Sequence, residues 1–412
     1  MIGLMDCNNF FVSCERLFRP DLLKRPVAVL SSNDGCIVSR SQEVKALGIP
    51  MGIPYFQVKE LCEKEGVVLF SSNFTLYRDL SSRVMETLAR EVGECEIYSI
   101  DEAFFEVEED VSEDVLRRVR DTVMRNVGIP VSIGAAPTKT LAKEASEFAK
   151  KGSGVSMLTR ENLHALKDVP CASVWGIGRK TVEKLKMLGV FTIGEFLALD
   201  PAIVRSHFGV FGDRVRAELQ GTIAYPLHEN SEAVRQSIMS SRSFEKTTRR
   251  REDIESALAY HVSACAEKLR EKGLLASRMH LSVSASRYGD FFMRRGSSEI
   301  VLDEPSADTH TLIKAALQAV PGIFDPEVPY KKAGVVMGGL VPQCYATSDL
   351  FCLPERGSTA VLGLVMDKIN DRYGHNTIRS AAIRQSGPRS SAKLRSPEYS
   401  TRWKDIPSVR AA

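Results

Sequence analysis

The chain has 412 residues and a formal net charge of +3, a length that suits about two to four domains. Hydrophobic residues make up 43% of it and charged residues 26%, values that exclude collagen-like, disordered and coiled-coil proteins. No apolar run approaches the roughly 18 residues of a membrane span, and the N-terminus has no basic leader. The nine cysteines form no Cys-x-x-Cys pair. We therefore expect a soluble cytoplasmic protein without membrane contact.

The first part of the chain alternates between predicted strands and helices. Residues 2–6 read as a buried strand, and the alternation of polar and apolar residues over 96–107 is also typical of a strand. A helix is predicted over about 111–126, a strand over 131–136, and a second helix from 137 to about 150. Strands that alternate with helices predict an α+β or α/β core.

The second part begins with short helices and then changes pattern. Glycines punctuate residues 166–222, which predicts several short helices. From residue 235 the predicted elements are a strand (236–244), a helix (252–271), two strands (278–288 and 297–302), a helix (308–320) and a strand (332–340). This β-α-β-β-α-β order is the ferredoxin-like arrangement. A short helix (358–371) and a polar, basic tail follow.

The charges are distributed unevenly along the chain. Residues 91–114 contain eleven acidic residues and no Lys or Arg. Residues 235–251 contain six bases against one acid, and eight bases against two acids lie between Arg379 and the end. Together these runs indicate a protein that holds metal in one place and a polyanion elsewhere. The alternative, which is the simpler reading of any one run, is a solvated surface.

Three carboxylates lie at the ends of predicted strands. Asp6 ends the first strand, and Asp101 and Glu102 lie in the second strand or its turn. Brought together by neighbouring strands, they would form an oxygen-rich site for a hard cation such as Mg²⁺. Apolar neighbours favour this over the alternative, in which each acid ends its strand in solvent.

Residues 99–104 (SIDEAF) resemble the palm motif of the Y-family (translesion) DNA polymerases, and Asp6 lies where that family has its first metal-binding aspartate. The chain is similar specifically to the UmuC type, the catalytic subunit of DNA polymerase V. Further matching segments are 18–22, 32–36, 45–48, 70–73, 134–143, 240–244 and 396–403. The resemblance covers essentially the whole chain.

The resemblance implies an α+β multidomain fold in the form of a right-hand polymerase. It comprises a palm (1–9 and 75–165), fingers (10–74), a helix-hairpin-helix thumb (166–233), a ferredoxin-like little finger (235–342) and a C-terminal extension (343–412). The implied activity is error-prone, template-directed addition of deoxynucleotides to a primer 3′-hydroxyl opposite damaged template, in SOS mutagenesis.

The resemblance also implies a metal site. Asp6, Asp101 and Glu102 would hold two Mg²⁺ ions as catalytic residues, and the backbone carbonyl of Cys7 would complete the coordination of the ion on the nucleotide side.

Four residues are implied to contact the incoming nucleotide. Phe11 would be the steric gate that leaves no room for a 2′-hydroxyl, with Phe10 beside it; the alternative is core packing, which suits Phe10 better. Lys45 and Lys150 would neutralise the triphosphate. Either lysine is otherwise a solvated surface charge.

DNA contacts are implied at two places and should be independent of sequence. In the thumb, the turn at Gly176 and Gly178 would present backbone N–H groups to a phosphate, with Arg179 and Lys180 adding charge. A lone Gly-Ile-Gly is weak evidence outside this context. The little-finger candidates are Arg242, Arg249, Arg250 and Arg251.

The implied partners are damaged primer-template DNA, deoxynucleoside triphosphates, a UmuD′ dimer, RecA and the sliding clamp. Leu350 and Phe351 form an apolar pair predicted to bind the clamp; the alternative is that the pair folds back onto the little finger. Two rival functions stay open, a catalytically inactive Y-family-like DNA-binding accessory subunit and a nucleotide cyclase. The retained acids argue against the first, and the DNA-binding surfaces against the second.

Overall fold

The computed structural model describes residues 1–227, 236–286, 291, 294–345, 357–374, 376–384 and 392–408. The chain forms two compact units, of which the first comprises Met1–Glu232 with Ala392–Ala412 and the second comprises Ala233–Ser391. The second unit is therefore inserted into the chain of the first. The predicted C-terminal extension (343–412) is divided between the two units.

Both units contain strands and helices. In chain order the first unit contains β1 (Ile2–Cys7), α1 (Phe10–Leu17), β2 (Val27–Leu30), β3 (Ile37–Arg40), α2 (Gln42–Ala46), α3 (Tyr55–Lys64), β4 (Val68–Ser71), α4 (Phe74–Val92), β5 (Cys95–Ile97), β6 (Glu102–Glu106), α5 (Glu113–Val127), β7 (Val131–Ala136), α6 (Lys139–Lys151), β8 (Val155–Met157), α7 (Arg179–Met187), α8 (Ile193–Ala198) and α9 (Pro201–Leu219). The second unit contains β9 (Ser237–Thr248), α10 (Arg251–Glu271), β10 (Leu274–Ala285), β11 (Arg295–Ser306), α11 (Thr309–Ile323), β12 (Tyr330–Pro342) and α12 (Gly357–Tyr373).

The central sheet of the first unit has the strand order β5-β6-β1-β7-β8. Strand β1 lies in the middle, antiparallel to β6 and β7, and all six of its residues are buried, as the apolar run at 2–6 predicts. Met5 packs in the core formed with α4 and α5, whereas Leu4 packs in the core that includes Leu141 of α6. Because side chains alternate along a strand, Asp6 lies on the same face as Leu4, towards α6.

The single strand predicted over 96–107 is in fact two strands, β5 and β6, joined by a turn. The backbone N–H groups of Tyr98 and Ser99 both donate to the carbonyl of Glu102, at 3.0 and 3.1 Å. Asp101 lies in the turn, where its carboxylate accepts a hydrogen bond from the Ser99 hydroxyl at 2.5 Å. The carbonyl of Asp101 accepts from the N–H of Cys7 at 2.8 Å, which keeps this turn beside the end of β1.

Helix α6 is held at its first turn by a buried carboxylate of α9. Glu218, with no exposed surface, accepts from the N–H groups of Thr140 (3.0 Å), Ala224 (2.8 Å) and Tyr225 (3.0 Å). The Thr138 hydroxyl donates to the carbonyl of Glu218 at 2.9 Å. Since the first N–H groups of a helix lack partners within the helix, these contacts fix where α6 begins.

The second unit has the predicted β-α-β-β-α-β order, and its four strands pair in the order β11-β10-β12-β9, each antiparallel to its neighbours. Strand β10 begins at Leu274, earlier than the predicted 278, and β11 runs from Arg295 to Ser306. The extra residues are held by pairing with neighbouring strands, such as Arg295 opposite Ser284, which the polarity of the sequence does not show. In the part of the chain that is described, no helix is long and apolar enough to cross a membrane.

Candidate active site

Two of the predicted acids lie side by side in the central sheet. Asp6 of β1 and Glu102 of β6 are directly opposite each other across the two strands, and Asp6 is only 5% exposed. Lys143 of α6 donates to both carboxylates, at 3.3 Å to Asp6 Oδ2. Lys150 of the same helix donates to Asp6 Oδ2 at 2.8 Å and to Glu147 at 2.7 Å. Two acids and two ammonium groups thus form one cluster.

The spacing of residues along α6 explains why these lysines meet the sheet. Lys139, Lys143 and Lys150 follow one another by four and seven residues, which places them on one face of the helix. Lys139 binds both carboxylate oxygens of Glu96, at 2.8 and 2.7 Å, and lies 5.3 Å from the ring centre of Phe104. Lys143 was not among the predicted site residues, although its seven-residue interval to Lys150 was a signal for it.

The pKa values of the acids reflect this crowding. Burial alone would raise the pKa of Asp6, but the charge of Lys150, a hydrogen bond with Glu102 and the charge of Lys143 outweigh it and hold the pKa below its ordinary value. Burial and the hydrogen bond with Asp6 raise the pKa of Glu102 to about 7. Because an added cation favours the ionised form of both acids, this pair is suited to bind one.

The carboxylate of the third predicted ligand, Asp101, accepts a hydrogen bond from the hydroxyl of Ser99. Within the described ranges no group of three His, Cys, Asp or Glu side chains is spaced to hold a metal ion, so the predicted three-carboxylate cluster is not preformed. Like charges repel when no cation lies between them, and here Ser99, Lys143 and Lys150 satisfy the carboxylates instead. The paired carboxylates of Asp6 and Glu102 still supply the oxygen ligands that Mg²⁺ prefers, so the donor chemistry fits this ion.

The two adjacent phenylalanines of α1 have different surroundings. Phe10 is 3% exposed and belongs to the hydrophobic core, as the core-packing alternative has it, and this burial does not fit its assignment as a nucleotide contact. Phe11 is half-buried and stacks on Tyr77, with ring centres 4.5 Å apart and planes 14° apart. Phe74 meets the ring of Phe11 edge-on at 5.8 Å. The ring of Phe11 is therefore held in place by Tyr77 and Phe74, while part of it remains accessible to solvent.

Cations also gather beside the acids from the region predicted as fingers. Lys45 of α2 is exposed as a residue, but its ammonium is partly desolvated. This desolvation and repulsion from Arg40 and Lys150 lower its pKa, while Glu147 and Asp6 act in the opposite direction. Arg40 of β3 donates to the carbonyl of Ile49. Several like charges held together in this way attract an anion such as a triphosphate. Arg40 was not among the predicted residues, since its position on a strand gave no such signal.

The glycine turn of the predicted thumb precedes a helix. Gly176 has a φ of 87°, a conformation that favours glycine, and a Cβ there would lie 3.3 Å from the ring of Phe211. Gly178 is the N-cap of α7, and Arg179 and Lys180 are the exposed first residues of that helix. The arrangement has the open N–H groups and the positive charge that suit a phosphate.

The predicted DNA contacts of the second unit lie around the start of α10. Arg249, Arg250 and Arg251 are exposed. Two of them have acidic partners, Arg250 with Glu252 at 3.4 Å and Arg251 with Glu255 at 2.8 Å. The half-buried Arg242 lies on β9, and the predicted clamp-binding pair Leu350 and Phe351 lies outside the described residues.

One region of the four-stranded sheet forms a shallow concavity of about 350 Å³. Its lining includes the bases Arg295 and Lys332, the imidazole of His280 and the hydroxyls of Ser282 and Ser284. Small polar and basic side chains of this kind suit contact with a phosphate backbone.

Family models match most of the chain. The impB/mucB/samB family matches residues 5–147, its C-terminal domain matches 235–350, and the IMS family HHH motif matches 163–190. A domain of unknown function matches residues 361–409.

Curated relatives match along the whole chain. Protein UmuC of Salmonella typhimurium is 37% identical over 426 aligned residues, covering all of both chains, and Protein SamB of the same organism is 35% identical over 427. DNA polymerase IV of Bacillus velezensis is 27% identical over 92% of each chain. A solved Y-family DNA polymerase chimera of Dbh and Dpo4 shares the fold, with a TM-score of 0.69 at 20% identity over 83% of this chain and 99% of that one. The protein belongs to the UmuC/ImpB/MucB/SamB family of Y-family DNA polymerases.

Proposed function

We propose that the protein adds deoxynucleotides to a primer 3′-hydroxyl opposite damaged template, by phosphoryl transfer with two Mg²⁺ ions. The observation that carries this proposal is the cluster of Asp6, Glu102, Lys143 and Lys150, in which a buried and a half-buried carboxylate lie opposite each other on adjacent strands. A hard cation and a phosphate are the ligands for which such paired acids and lysines are suited.

The ligands of the ions would be Asp6, Glu102 and Asp101, with the backbone carbonyl of Cys7. When bound, Mg²⁺ lowers the pKa of the attacking hydroxyl and neutralises charge on the transferred phosphate. Ser99 donates to only one carboxylate oxygen of Asp101, so the other oxygen would be the one to serve as a ligand. Lys143, which forms ion pairs with Asp6 and Glu102, would neutralise charge at this site together with bound Mg²⁺.

The chain's own cations and one aromatic ring would select the nucleotide. Lys150 and Lys45, with Arg40, hold the triphosphate by charge. Phe11 lies four residues after Cys7, and its ring would pack beside the sugar and exclude a 2′-hydroxyl. The predicted fingers segment, of roughly 65 residues, is small for a lid that checks base pairs by closing, so low fidelity is expected.

The accessory partners are part of the proposal. The resemblance of the chain to UmuC implies a UmuD′ dimer, RecA and the sliding clamp as partners, and SOS mutagenesis in the cytoplasm as the setting. Clamp binding through Leu350 and Phe351 would raise the concentration of the active site at the primer without altering its chemistry.

One observation favours a different function, a catalytically inactive DNA-binding accessory subunit. Asp101 bonds to Ser99, and the three acids do not form a ready metal site. A subunit of this kind would keep the basic DNA surfaces and would not use the acids. It would bind primer-template without extending the primer.

Primer extension separates the two functions. The purified full chain, given Mg²⁺, deoxynucleotides and a primed template with an abasic site, should add nucleotides opposite the lesion. An undamaged template of the same sequence is the control. If DNA is bound but neither primer is extended, even with UmuD′, RecA and the clamp supplied, the polymerase proposal is wrong and the accessory function stands.

The arginines at the start of α10 should account for part of the salt dependence of DNA binding. Replacing Arg249, Arg250 and Arg251 together by Ala should reduce the slope of log affinity against log salt by about 1 to 3, because each phosphate contact contributes about 0.9. The lower part of this range is expected because Arg250 and Arg251 have acidic partners.

The control removes three arginines from α5, by the substitutions Arg117→Ala, Arg118→Ala and Arg125→Ala. Affinity is measured by titration of fluorescent primer-template between low and high salt. Equal slopes for the α10 variant and the wild type would show that the cluster is a solvated surface.

A further inference from the structure

The last described segment, residues 392–408, which we call the strap, attaches to the edge of the sheet formed by β2, β3 and β4. Ser71 at the end of β4 donates its N–H to the carbonyl of Leu394 at 3.1 Å, and the N–H of Leu394 donates to the Ser71 hydroxyl at 3.0 Å. Ser71 and Arg395 form a parallel bridge. Tyr399 stacks on Phe18 at the end of α1, with ring centres 4.7 Å apart. The strap is therefore an ordered part of the first unit.

The strap also holds the start of α4, the helix that carries Tyr77. The amide of Asn73, the N-cap of α4, donates to the carbonyl and the hydroxyl of Ser396, both at 3.0 Å, and to the carbonyl of Pro397 at 3.1 Å. The guanidinium of Arg395 donates to the side-chain oxygen of Asn73 at 3.1 and 3.2 Å. Every polar atom of the Asn73 side chain thus has a partner in the strap.

Ser396 is connected to Phe11 through two buried side chains. Its hydroxyl donates to Oε1 of Glu15 at 3.0 Å, and the hydroxyl of Tyr77 donates to the same oxygen at 2.7 Å. Glu15 and Tyr77 are both fully buried. The ring of Tyr77 is the surface on which Phe11 stacks, 4.5 Å away. Contacts therefore run without a gap from the strap to the accessible ring of α1.

The hydroxyl of Ser396 supplies one of the two side-chain hydrogen bonds that Glu15 accepts. Glu15 receives its two side-chain hydrogen bonds at one oxygen, and Oε2 has no hydrogen-bond partner within the described segments. Burial raises the pKa of Glu15, and the bonds from Tyr77 and Ser396 oppose this. Without the Ser396 hydroxyl, a buried carboxyl keeps one donor, which is costly enough to move Glu15 and the Tyr77 that is bound to it.

We propose that Ser396 of the strap is a positioning residue of the sugar-selecting site, which sets the place of Phe11 through Glu15 and Tyr77. The contact between Ser396 and Glu15 then influences how strongly deoxyribonucleotides are preferred over ribonucleotides. This inference rests on the proposed role of Phe11 as the steric gate. A shift of about 0.5 Å in a positioned side chain is enough to weaken such selection.

The test compares two serine substitutions in the strap of the full chain. Ser396→Ala removes the hydroxyl that binds Glu15, whereas Ser400→Ala removes a hydroxyl that has no hydrogen-bond partner among the described residues. Binding of dATP and of ATP is measured on a primer-template whose primer ends in a dideoxynucleotide, so that no turnover is needed. The dissociation constant of ATP divided by that of dATP measures the preference for the deoxyribonucleotide. This ratio should fall about fivefold in Ser396→Ala, the effect of one hydrogen bond, and stay unchanged in Ser400→Ala.

A second pair of variants separates this inference from the proposed function. Tyr77→Phe keeps the stacking ring and loses its bond to Glu15, so it should lower the ratio as Ser396→Ala does. In a Phe11→Ala background, Ser396→Ala should have no further effect on the ratio, because both changes act on the same ring. Thermal unfolding of each variant is recorded alongside.

The outcomes are distinct. If Phe11→Ala lowers the ratio and Ser396→Ala does not, or weakens dATP and ATP binding equally together with thermal stability, the strap is only structural and the inference is wrong, while the proposed function stands. If Phe11→Ala leaves the ratio unchanged, Phe11 is not the gate, and that part of the proposed function fails together with this inference.

Discussion

Replacing Asp101 or Glu102 by alanine should slow nucleotide addition roughly a thousandfold or more. A metal ion that loses a carboxylate ligand loses several kcal/mol of the charge stabilisation that it gives to the transferred phosphate. DNA affinity should change little, because the phosphate backbone is bound elsewhere. Single-turnover primer extension measures the first effect, and titration of labelled primer-template measures the second.

Glu106→Ala is the matched control, because Glu106 ends the same strand as Glu102 but is exposed. It should extend primers at the wild-type rate. The comparison of Asp101 with Glu102 adds information, since only Glu102 lies beside Asp6 in the structure. Equal losses would show that Asp101 contributes to the reaction as much as Glu102 does. Wild-type extension in the Asp101 or Glu102 variant would remove that residue from the active site.

Replacing Phe11 by alanine should raise the use of ribonucleotides relative to deoxyribonucleotides on the order of tenfold to a hundredfold. The large ring is the group that would occupy the space of a 2′-hydroxyl, and discrimination by a filled apolar surface has this size. Phe74 and Tyr77 hold the ring on two sides, so the wild-type ring cannot easily turn away. The measurement is the ratio of kcat/KM for ATP and dATP opposite the same template base.

Phe10→Ala makes the same chemical change one residue earlier. Phe10 is 3% exposed in the core, so its loss should cost about 3–5 kcal/mol of unfolding free energy and leave the sugar ratio unchanged. The opposite pattern, with a changed ratio for Phe10→Ala and none for Phe11→Ala, would move the gate to Phe10.

Sequence patterns were most reliable where local periodicity and burial agree. The buried strand β1, the strand β7 and the element order of the second unit follow from apolar periodicity and are confirmed by the structure. The predicted strand over 96–107 was wrong at its centre, because the bond from Ser99 to Asp101 and the pairing with Glu102 make a turn that alternation does not reveal.

The candidate site was predictable in its acids and only partly in its cations. Asp6 and Glu102 stand at strand ends, where a short motif marks them. For Lys143 the sequence offered only its seven-residue interval to Lys150, because a lysine on a helix is usually solvated and its contact with both acids depends on how α6 crosses the sheet. The contacts of Ser396 could not be predicted from local sequence patterns, since its partner Asn73 is 323 residues away in the chain.

The division of the chain has a consequence for its covalent integrity. The second unit begins at Ala233 and ends at Ser391, so it is a loop closed at both ends on the first unit rather than a module on a free end. A closed loop has less freedom than a single tether. A single backbone cut between residues 227 and 236 would leave two polypeptides, and the C-terminal one would still hold Asn73 and Glu15 through Ser396. The nicked protein would stay together until the strap itself dissociates.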